Sequence, residues 1–309
     1  MLIATANAIW SVLPYGEKCA TRILFGGCDA SVTALRDKFG GVAVFSDGRL
    51  VSFRGAQPEV FATGVGEPIT AVLPFAERPL DVLFGTEGAH LYRFREESGA
   101  TRVQAFDALS CRDDWHTPWG GPPAVRSLAA TPGSYVYADI HVGSIMRSPD
   151  GGESWAPVAT TVHPDVHQVS TCPADPSRVY ANTAQAVYVS FDCGQSWEYR
   201  GVDLSGRYGR AVVVDPEDPE CLLATVSDGP HGDDVHGQLF RSWDCGKSWN
   251  QVITGFPGST PDNINTHHLR FETAGLVLAC VGRALYASRD SGNTWRVVWR
   301  APSPIACIG

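Results

Sequence analysis

Short runs of alternating apolar and polar residues, separated by turn residues, follow one another along this 309-residue chain. The stretch "VHQVSTCPADPSRVYANTAQAVYVS" (166–190) shows the pattern: a strand, a Pro/Asp turn, a second strand, a short loop and a third strand. The stretch "GRAVVVDPEDPECLLATVSDG" (209–229) repeats it. A period of two residues predicts β-strands, whereas an amphipathic helix would show a period of 3.6. The pattern therefore predicts an all-β protein built from similar units.

An octapeptide of the form S-x-D-x-G-x-[S/T]-W closes the third strand of four such units. Its copies are residues 148–155, 190–197, 242–249 and 288–295. The Asp carboxylate and the hydroxyl groups can accept hydrogen bonds from turn N–H groups, and the Gly can take a positive φ. The Trp supplies a large apolar plug. Each copy is therefore predicted to form a turn, with one more strand after it.

The octapeptide resembles the Asp box, or BNR repeat, of β-propeller proteins. Propeller blades are four-stranded sheets of this length. Two units without the octapeptide occupy 32–53 and 69–94, and the N-terminal strands together with "SPIACIG" (303–309) complete one more. The sequence thus predicts one seven-bladed β-propeller domain over residues 1–309, closed into a ring by N- and C-terminal strands in one blade. A six-bladed ring is the alternative.

Among Asp-box propellers, the chain resembles the unassigned single-propeller bacterial members. Sialidases would need an R-I-P segment and three carboxylate-binding arginines, whereas "TRILF" at Arg22 has no proline and only two arginines fall in suitable places. Xyloglucan-type enzymes pair two propellers around a cleft, and one propeller does not provide that cleft. Sortilin-like domains are secreted and disulfide-bonded, which differs from the cysteine pattern of this chain.

Composition narrows the partners and the compartment. The net charge is −9 and no basic run is present, which argues against nucleic acid and anionic membranes as partners. The nine cysteines are scattered without CxxC pairs, as expected for reduced thiols. The N-terminal segment lacks the features of a signal peptide, and no apolar run reaches the roughly 20 residues of a membrane span. The sequence predicts a cytoplasmic protein.

Polar residues are predicted to converge at one end of the central channel. Aligning the inner strands of four successive blades superposes one position, occupied by Arg126, His167, Arg210 and His267. The loops expected on the same face contribute His116, His141, Asp165, Tyr208 and His236. Histidines without a shared role would be spread over both faces of the ring. The concentration therefore predicts a site at the mouth of the channel.

Two chemistries fit such a site. Neutral imidazoles from different blades could ligate one divalent metal, whether Zn, Mn, Fe or Cu, with the ligands His141, His167, His236 and His267. Alternatively, an anionic small-molecule substrate would be held by Arg126, Arg210, His116 and Tyr208. Acid–base chemistry would then fall to His167, His267 and Asp165. The predicted function is a small-molecule enzyme, of hydrolase or lyase type, or a binder. The alternative is a protein-binding scaffold without catalysis.

Overall fold

Seven four-stranded antiparallel sheets form the blades of a ring. The structure, a computed structural model, describes residues 1–15, 18–26, 32–36, 41–76 and 79–309. The prediction of a seven-bladed β-propeller, rather than a six-bladed one, is confirmed. Parts of the two predicted units without an octapeptide, residues 37–40 and 77–78, lie outside the described residues.

Consecutive strands form each blade, from the channel outward. The chain begins with three strands of blade 7: β1 (Leu2–Thr5), β2 (Ala8–Tyr15) and β3 (Lys18–Gly26). Blade 1 comprises β4 (Val32–Arg36), β5 (Val42–Phe45), β6 (Arg49–Ser52) and β7 (Glu59–Ala62). Blade 2 comprises β8 (Ile69–Ala76), β9 (Asp81–Thr86), β10 (Leu91–Arg95) and β11 (Gly99–Arg102). A short helix α1 (Gln104–Asp107) and a 3-10 helix (Ser110–Asp114) then lead to blade 3.

The octapeptides belong to the next four blades. Blade 3 comprises β12 (Val125–Ala130), β13 (Val136–Ile140), β14 (Ser144–Ser148) and β15 (Ala156–Pro157). Blade 4 comprises β16 (Val166–Thr171), β17 (Val179–Thr183), β18 (Ala186–Ser190) and β19 (Glu198–Tyr199). Blade 5 comprises β20 (Tyr208–Val214), β21 (Leu222–Ser227), β22 (Gln238–Ser242) and β23 (Asn250–Gln251). Blade 6 comprises β24 (Leu269–Thr273), β25 (Leu276–Val281), β26 (Ala284–Ser288) and β27 (Arg296–Arg300).

The C-terminal strand β28 (Ile305–Ile308) closes the ring. It pairs with β1, aligning Ile308 with Ile3 and Cys307 with Ala4, and becomes the innermost strand of blade 7. The predicted closure by N- and C-terminal strands in one blade is confirmed. Closing a ring removes the exposed strand edges that an open array of sheets would leave.

Each octapeptide forms a hydrogen-bonded turn between the third and fourth strands. In residues 242–249, Ser242 Oγ accepts from the N–H of Gly246 and donates to Asp244 Oδ1, both at 2.8 Å. Asp244 also accepts from the N–H and the hydroxyl of Ser248, at 2.9 and 2.6 Å. Gly246 has a φ of +78°. The same Ser–Gly and Asp–Ser/Thr bonds recur in the other three copies.

The octapeptide tryptophans pack between neighbouring blades, as the sequence predicts. Trp155 lies in the apolar cluster between blades 2 and 3, and Trp197 in the one between blades 3 and 4. Trp249 and Trp295 occupy the next two interfaces. All four rings are buried, and burying an indole is worth roughly 3 kcal/mol or more.

Polar side chains also link the blades. We call them the inter-blade polar belt: Thr70, Ser127, Asn182 and Thr225, one from each of blades 2 to 5. Each makes a hydrogen bond to the backbone of the next inner strand or of the loop that leads into it; the partners are Val125, Val169, Ala211 and Ile264. All but Thr70 are fully buried, so a broken link would leave a polar group without a partner inside the protein.

The eight cysteines within the described ranges are free; Cys28 lies outside those ranges. Among the described residues, no helix has the length and the hydropathy that a membrane span requires.

Candidate functional site

The inner strands of blades 3 to 6 share one register position at the mouth of the channel. The ladder is irregular between Val125 and Ser127 in β12 and between Val166 and Gln168 in β16. An irregularity of this kind redirects the extra residue away from the ladder. The predicted alignment agrees with the strand register, which places at this position Arg126, His167, Arg210 and His267.

Asp165 joins Arg126 and His167 at the mouth. Arg126 Nη1 donates to Asp165 Oδ1 at 2.9 Å and to the carbonyl oxygen of Val166 at 3.1 Å. His167 Nε2 lies 3.2 Å from the same carboxylate oxygen. Burial opposes the charge on Asp165, but the contacts with His167 and Arg126 outweigh it and lower its pKa to about 2. Asp165 is therefore a carboxylate at any physiological pH.

His167 contacts the neighbouring blade. Its ring is fully buried, and Nδ1 contacts the carbonyl oxygen of Gly209 in β20. A carbonyl oxygen can only accept, so Nδ1 carries a hydrogen. Burial lowers the pKa of His167, while the contact with Asp165 acts in the opposite direction. Since the ring has no exposed surface, any effect of His167 on a ligand passes through Asp165.

Tyr208 stands between His167 and Arg210. The Tyr208 and His167 ring centroids are 4.7 Å apart, and the Arg210 guanidinium carbon lies 4.8 Å from the Tyr208 centroid. Arg210 Nη2 donates to the carbonyl oxygen of Pro230 at 3.3 Å, and Nε is buried with no hydrogen-bond partner in the described structure. A cavity of about 480 Å³ opens beside Arg210, against the loops at 227–237 and 260–268.

Arg210 forms no ion pair with any residue that the structure describes. Within the ranges that the structure describes, no carboxylate lies within 4 Å of its guanidinium, whereas Arg126 is paired with Asp165. We refer to the five residues described so far as the mouth cluster: Arg126, Asp165, His167, Tyr208 and Arg210.

Thr266 narrows the mouth from blade 6. Its hydroxyl lies 2.9 Å from the carbonyl oxygen of His167 and 3.2 Å from that of Arg210, so its single hydrogen is shared between acceptors of blades 4 and 5. His267 follows it and lines the channel, a cavity of about 830 Å³ bordered by the inner strands. The predicted catalytic residue His267 thus faces the channel.

His141 and Trp119 form an aromatic edge to the site. Their ring centroids are 4.7 Å apart; His141 is buried, whereas Trp119 is 72% exposed. Burial lowers the pKa of His141 to about 4, with a smaller contribution from Arg126. The sequence signal for Trp119 is a tryptophan between Pro118 and Gly120 in a polar loop, and the sequence interpretation did not single it out.

Asp139 lies beneath the cluster, with no exposed surface. One oxygen accepts from the Ser127 hydroxyl, and Oδ2 has no hydrogen-bond partner among the described residues. Burial raises the pKa of Asp139 to about 7, against the opposing influences of Ser127 and Arg126. Nothing in the strand pattern distinguishes this buried carboxyl from an exposed loop residue.

The structure does not assemble the predicted metal ligands. His236 is exposed and lies between Asp228 and Asp234, at 2.9 and 3.7 Å. His167 Nδ1 contacts the carbonyl oxygen of Gly209, and the His141 ring packs on Trp119. Across the described part of the chain, no group of three or more His, Cys, Asp or Glu side chains could hold a metal ion. The metal centre of His141, His167, His236 and His267 therefore stays a prediction, whose ligands this structure does not bring together.

His116 also lies apart from the mouth cluster's contacts. It is exposed, and its Nδ1 lies 3.0 Å from the carbonyl oxygen of Asp114 in its own loop. The predicted role of His116 in holding a substrate has no contact in this structure that supports it.

The fold and the site define an all-β seven-bladed propeller with a polar cluster at the channel mouth. The Sortilin-Vps10 family model, described as sortilin, neurotensin receptor 3, matches residues 143–257, which is less than half of the chain. A xyloglucanase from Paenibacillus sp is 27% identical over 213 residues, covering 54% of this chain and 20% of the relative. A probable oligoxyloglucan-reducing end-specific xyloglucanase from Neosartorya fischeri is 26% identical over 211 residues, covering 56% and 25%. The matches span a quarter or less of these relatives.

Solved structures show the same fold over most of the chain. YCF48 from Cyanidioschyzon merolae superposes with a TM-score of 0.61 at 15% identity, covering 96% of this chain and 90% of that one. YCF48 bound to D1 peptide gives 0.61 at 16% identity, covering 93% and 83%. The GH74 xyloglucanase from Xanthomonas campestris gives 0.58 at 19% identity, covering 96% of this chain but 46% of the enzyme. These similarities support a β-propeller.

Proposed function

We propose that the protein is a ligand-binding β-propeller that holds a carboxylate-bearing peptide segment of a partner at the channel mouth. The observation that carries the proposal is Arg210, whose guanidinium lies over Tyr208 and has no carboxylate within 4 Å among the described residues. A half-buried arginine with open donors binds carboxylates strongly, because its planar group makes paired, charge-assisted hydrogen bonds. The cavity beside Arg210 gives such a segment room.

Binding accounts for the mouth cluster better than catalysis does. A general acid or base works best when its pKa lies near the working pH. Asp165 has a pKa of about 2 and His141 of about 4, both far from neutrality. Asp139, with a pKa of about 7, has no exposed surface. Glycoside hydrolysis uses two accessible carboxyl groups about 5–10 Å apart, whereas Asp139, the carboxyl beneath the mouth cluster, has no exposed surface.

The comparisons fit a binding module of this size. The two YCF48 propellers match this chain over 83% and 90% of their own lengths, and one of them is bound to D1 peptide. The xyloglucanase relatives are several times longer than the region they share with this chain. Peptide binding by a propeller of similar length supports the proposal.

We also propose that the four octapeptides are Asp boxes. The support is their common turn: in each copy the Ser hydroxyl accepts from the Gly N–H and the Asp carboxylate accepts from the N–H of the Ser or Thr before the Trp. Their role is architectural, because they lie at the opposite end of the blades from the mouth cluster.

Peptide binding tests the proposed function directly. An array of decapeptides rich in Asp and Glu is probed with the purified protein, and the best binder is measured by fluorescence polarisation. Arg210→Gln should weaken its binding at least tenfold. The matched control, Arg207→Gln, changes an exposed arginine three residues away and should bind like the wild type. Equal affinity of the two variants, or no binder on the array, would exclude the proposed function.

A further inference from the structure

The acceptor side of the mouth has an unused oxygen. Asp165 Oδ1 accepts from Arg126 Nη1 at 2.9 Å, and the backbone carbonyl of Asp165 accepts from the N–H of Ala184. These contacts fix the carboxylate, whose side chain is 16% exposed. Oδ2 accepts no hydrogen bond from any residue that the structure describes. A fixed carboxylate oxygen at the mouth is thus available to a donor from outside.

His167 lies beside the same carboxylate. Its Nδ1 contacts the carbonyl oxygen of Gly209, and its buried Nε2 lies 3.2 Å from Asp165 Oδ1. Because Oδ1 already contacts Arg126 and His167, Oδ2 is the oxygen left for a ligand, and a carboxylate oxygen favours a positively charged donor over a second anion.

The donor side lies across the Tyr208 ring. Arg210 Nη2 makes one long contact with the carbonyl oxygen of Pro230, and its guanidinium makes no other hydrogen bond with a residue that the structure describes. The His167 and Arg210 groups lie 4.7 and 4.8 Å from the Tyr208 centroid. The mouth therefore has an unfilled acceptor near one end and an unfilled donor near the other, separated by an aromatic ring.

Hydrogen-bond pairing points to a ligand with both signs. An additional carboxylate alone would pair with Arg210 and leave Asp165 Oδ2 without a donor. A molecule with one ammonium and one carboxylate pairs with both sides of the mouth. The exposed Trp119 ring at the edge offers a flat surface for the chain between the two groups.

We infer that the ligand held at the mouth is a short peptide segment with a free amine and a free carboxylate, the amine donating to Asp165 Oδ2 and the carboxylate accepting from Arg210. This inference rests on the proposed function and deepens it. The amine is an N-terminal ammonium or a lysine side chain; both present the same donor group to Asp165.

Chemical blocking of the peptide tests the inference with the wild-type protein. The probes are Ala-Ala, Ala-Ala-Ala and Ala-Ala-Ala-Ala with both ends free, with the amine acetylated, with the carboxylate amidated, and with both ends blocked. Binding is measured by isothermal titration calorimetry. For the chain length that binds best, acetylation and amidation should each weaken binding at least tenfold. A lysine-containing acetylated tripeptide tells the two sources of the amine apart, because it should recover binding only if a side-chain amine suffices.

Two variants assign the ends. In Asp165→Asn, acetylation should no longer matter while amidation still weakens binding. In Arg210→Gln, amidation should no longer matter, while acetylation still weakens binding. Asn retains an oxygen that can accept from Arg126, and equal urea midpoints for variant and wild type would verify the fold.

The outcomes separate the inference from the proposed function. If amidation abolishes binding and acetylation does not, the inference of a zwitterionic ligand is overturned and carboxylate binding stands. If only acetylation abolishes binding, the proposed function is overturned, since Arg210 would have no role. Absence of binding by every free peptide would overturn the inference, while the decapeptide array would still decide the proposed function.

Discussion

The imidazole of His167 in blade 4 donates to the carbonyl oxygen of Gly209 in blade 5, so a predicted site residue is also a link between blades. Replacing it by Ala would remove a fully buried ring and leave that oxygen without its donor. We expect His167→Ala to lower the free energy of unfolding by about 2–4 kcal/mol. Urea denaturation measures this. His116→Ala, at an exposed histidine, should change it by less than about 0.5 kcal/mol; equal stabilities would contradict the link.

Gly209 allows the close approach of blades 4 and 5. A Cβ on this residue would overlap the side-chain amide of Asn182, which donates to the carbonyl oxygens of Ala211 and Thr225. Gly209→Ala should therefore break a polar-belt link and cost several kcal/mol, on the order of 3 or more. Gly66→Ala is the matched control, because its Cβ would meet nothing within 4 Å. The midpoints of thermal unfolding of the two variants are compared. Similar midpoints would show that Asn182 moves away from the new Cβ at little cost.

Asp139 gives the protein a pH-dependent stability. Its pKa rises from 3.8 to about 7 on folding because of burial, so between these values the folded protein holds a proton that the unfolded chain lacks. The contribution of Asp139 to the free energy of unfolding should therefore fall as the pH rises from about 4 to about 7, and level off above.

Asp139→Asn isolates this effect. Asn occupies the equivalent position in the next blade, as Asn182, so the residue suits the environment. Relative to that of the wild type, the free energy of unfolding of the variant should increase by on the order of 3 kcal/mol between pH 4 and pH 8. The lowered pKa of His141 acts with the opposite sign, removing stability as the pH falls from 6.5 to about 4 in both proteins. If the difference in the free energy of unfolding between the variant and the wild type stays the same across the pH range, Asp139 ionises normally.

The octapeptide Asp residues should matter for stability and not for ligand binding. Asp290 accepts from the Ser288 hydroxyl, the N–H groups of Asn293 and Thr294, and the Thr294 hydroxyl. Asp290→Ala should lower the free energy of unfolding by about 1–3 kcal/mol. The exposed Asp203→Ala serves as the control. A loss of peptide affinity in Asp290→Ala without loss of stability would place the ligand on the wrong face.

The fold was predictable because the sequence repeats its chemistry. Four octapeptides mark the same turn in four blades, and the apolar period of two between them needs no knowledge of distant contacts. The alignment of Arg126 with His167 and Arg210 followed from the same repeat, since each stands six residues before a proline that ends its inner strand.

The chemistry of the site was less predictable, because it depends on contacts between blades and on loop conformation. His167 meets a carbonyl oxygen 42 residues away, and Thr266 reaches one 99 residues away. His236 was grouped with the other histidines because its loop opens on their face, but the loop directs it to Asp228. No periodic pattern encodes which way an irregular loop turns.

The inter-blade polar belt and the pairing of β28 with β1 have a consequence for how the protein comes apart. In open arrays of repeats, the end units fray first because they have one neighbour. Here every blade has two neighbours, and the two chain ends share a sheet. Loss of one blade would leave hydrogen-bonding groups of its neighbours bare on both sides. Unfolding should thus be all-or-none, with no terminal repeat to serve as a weak point for proteases.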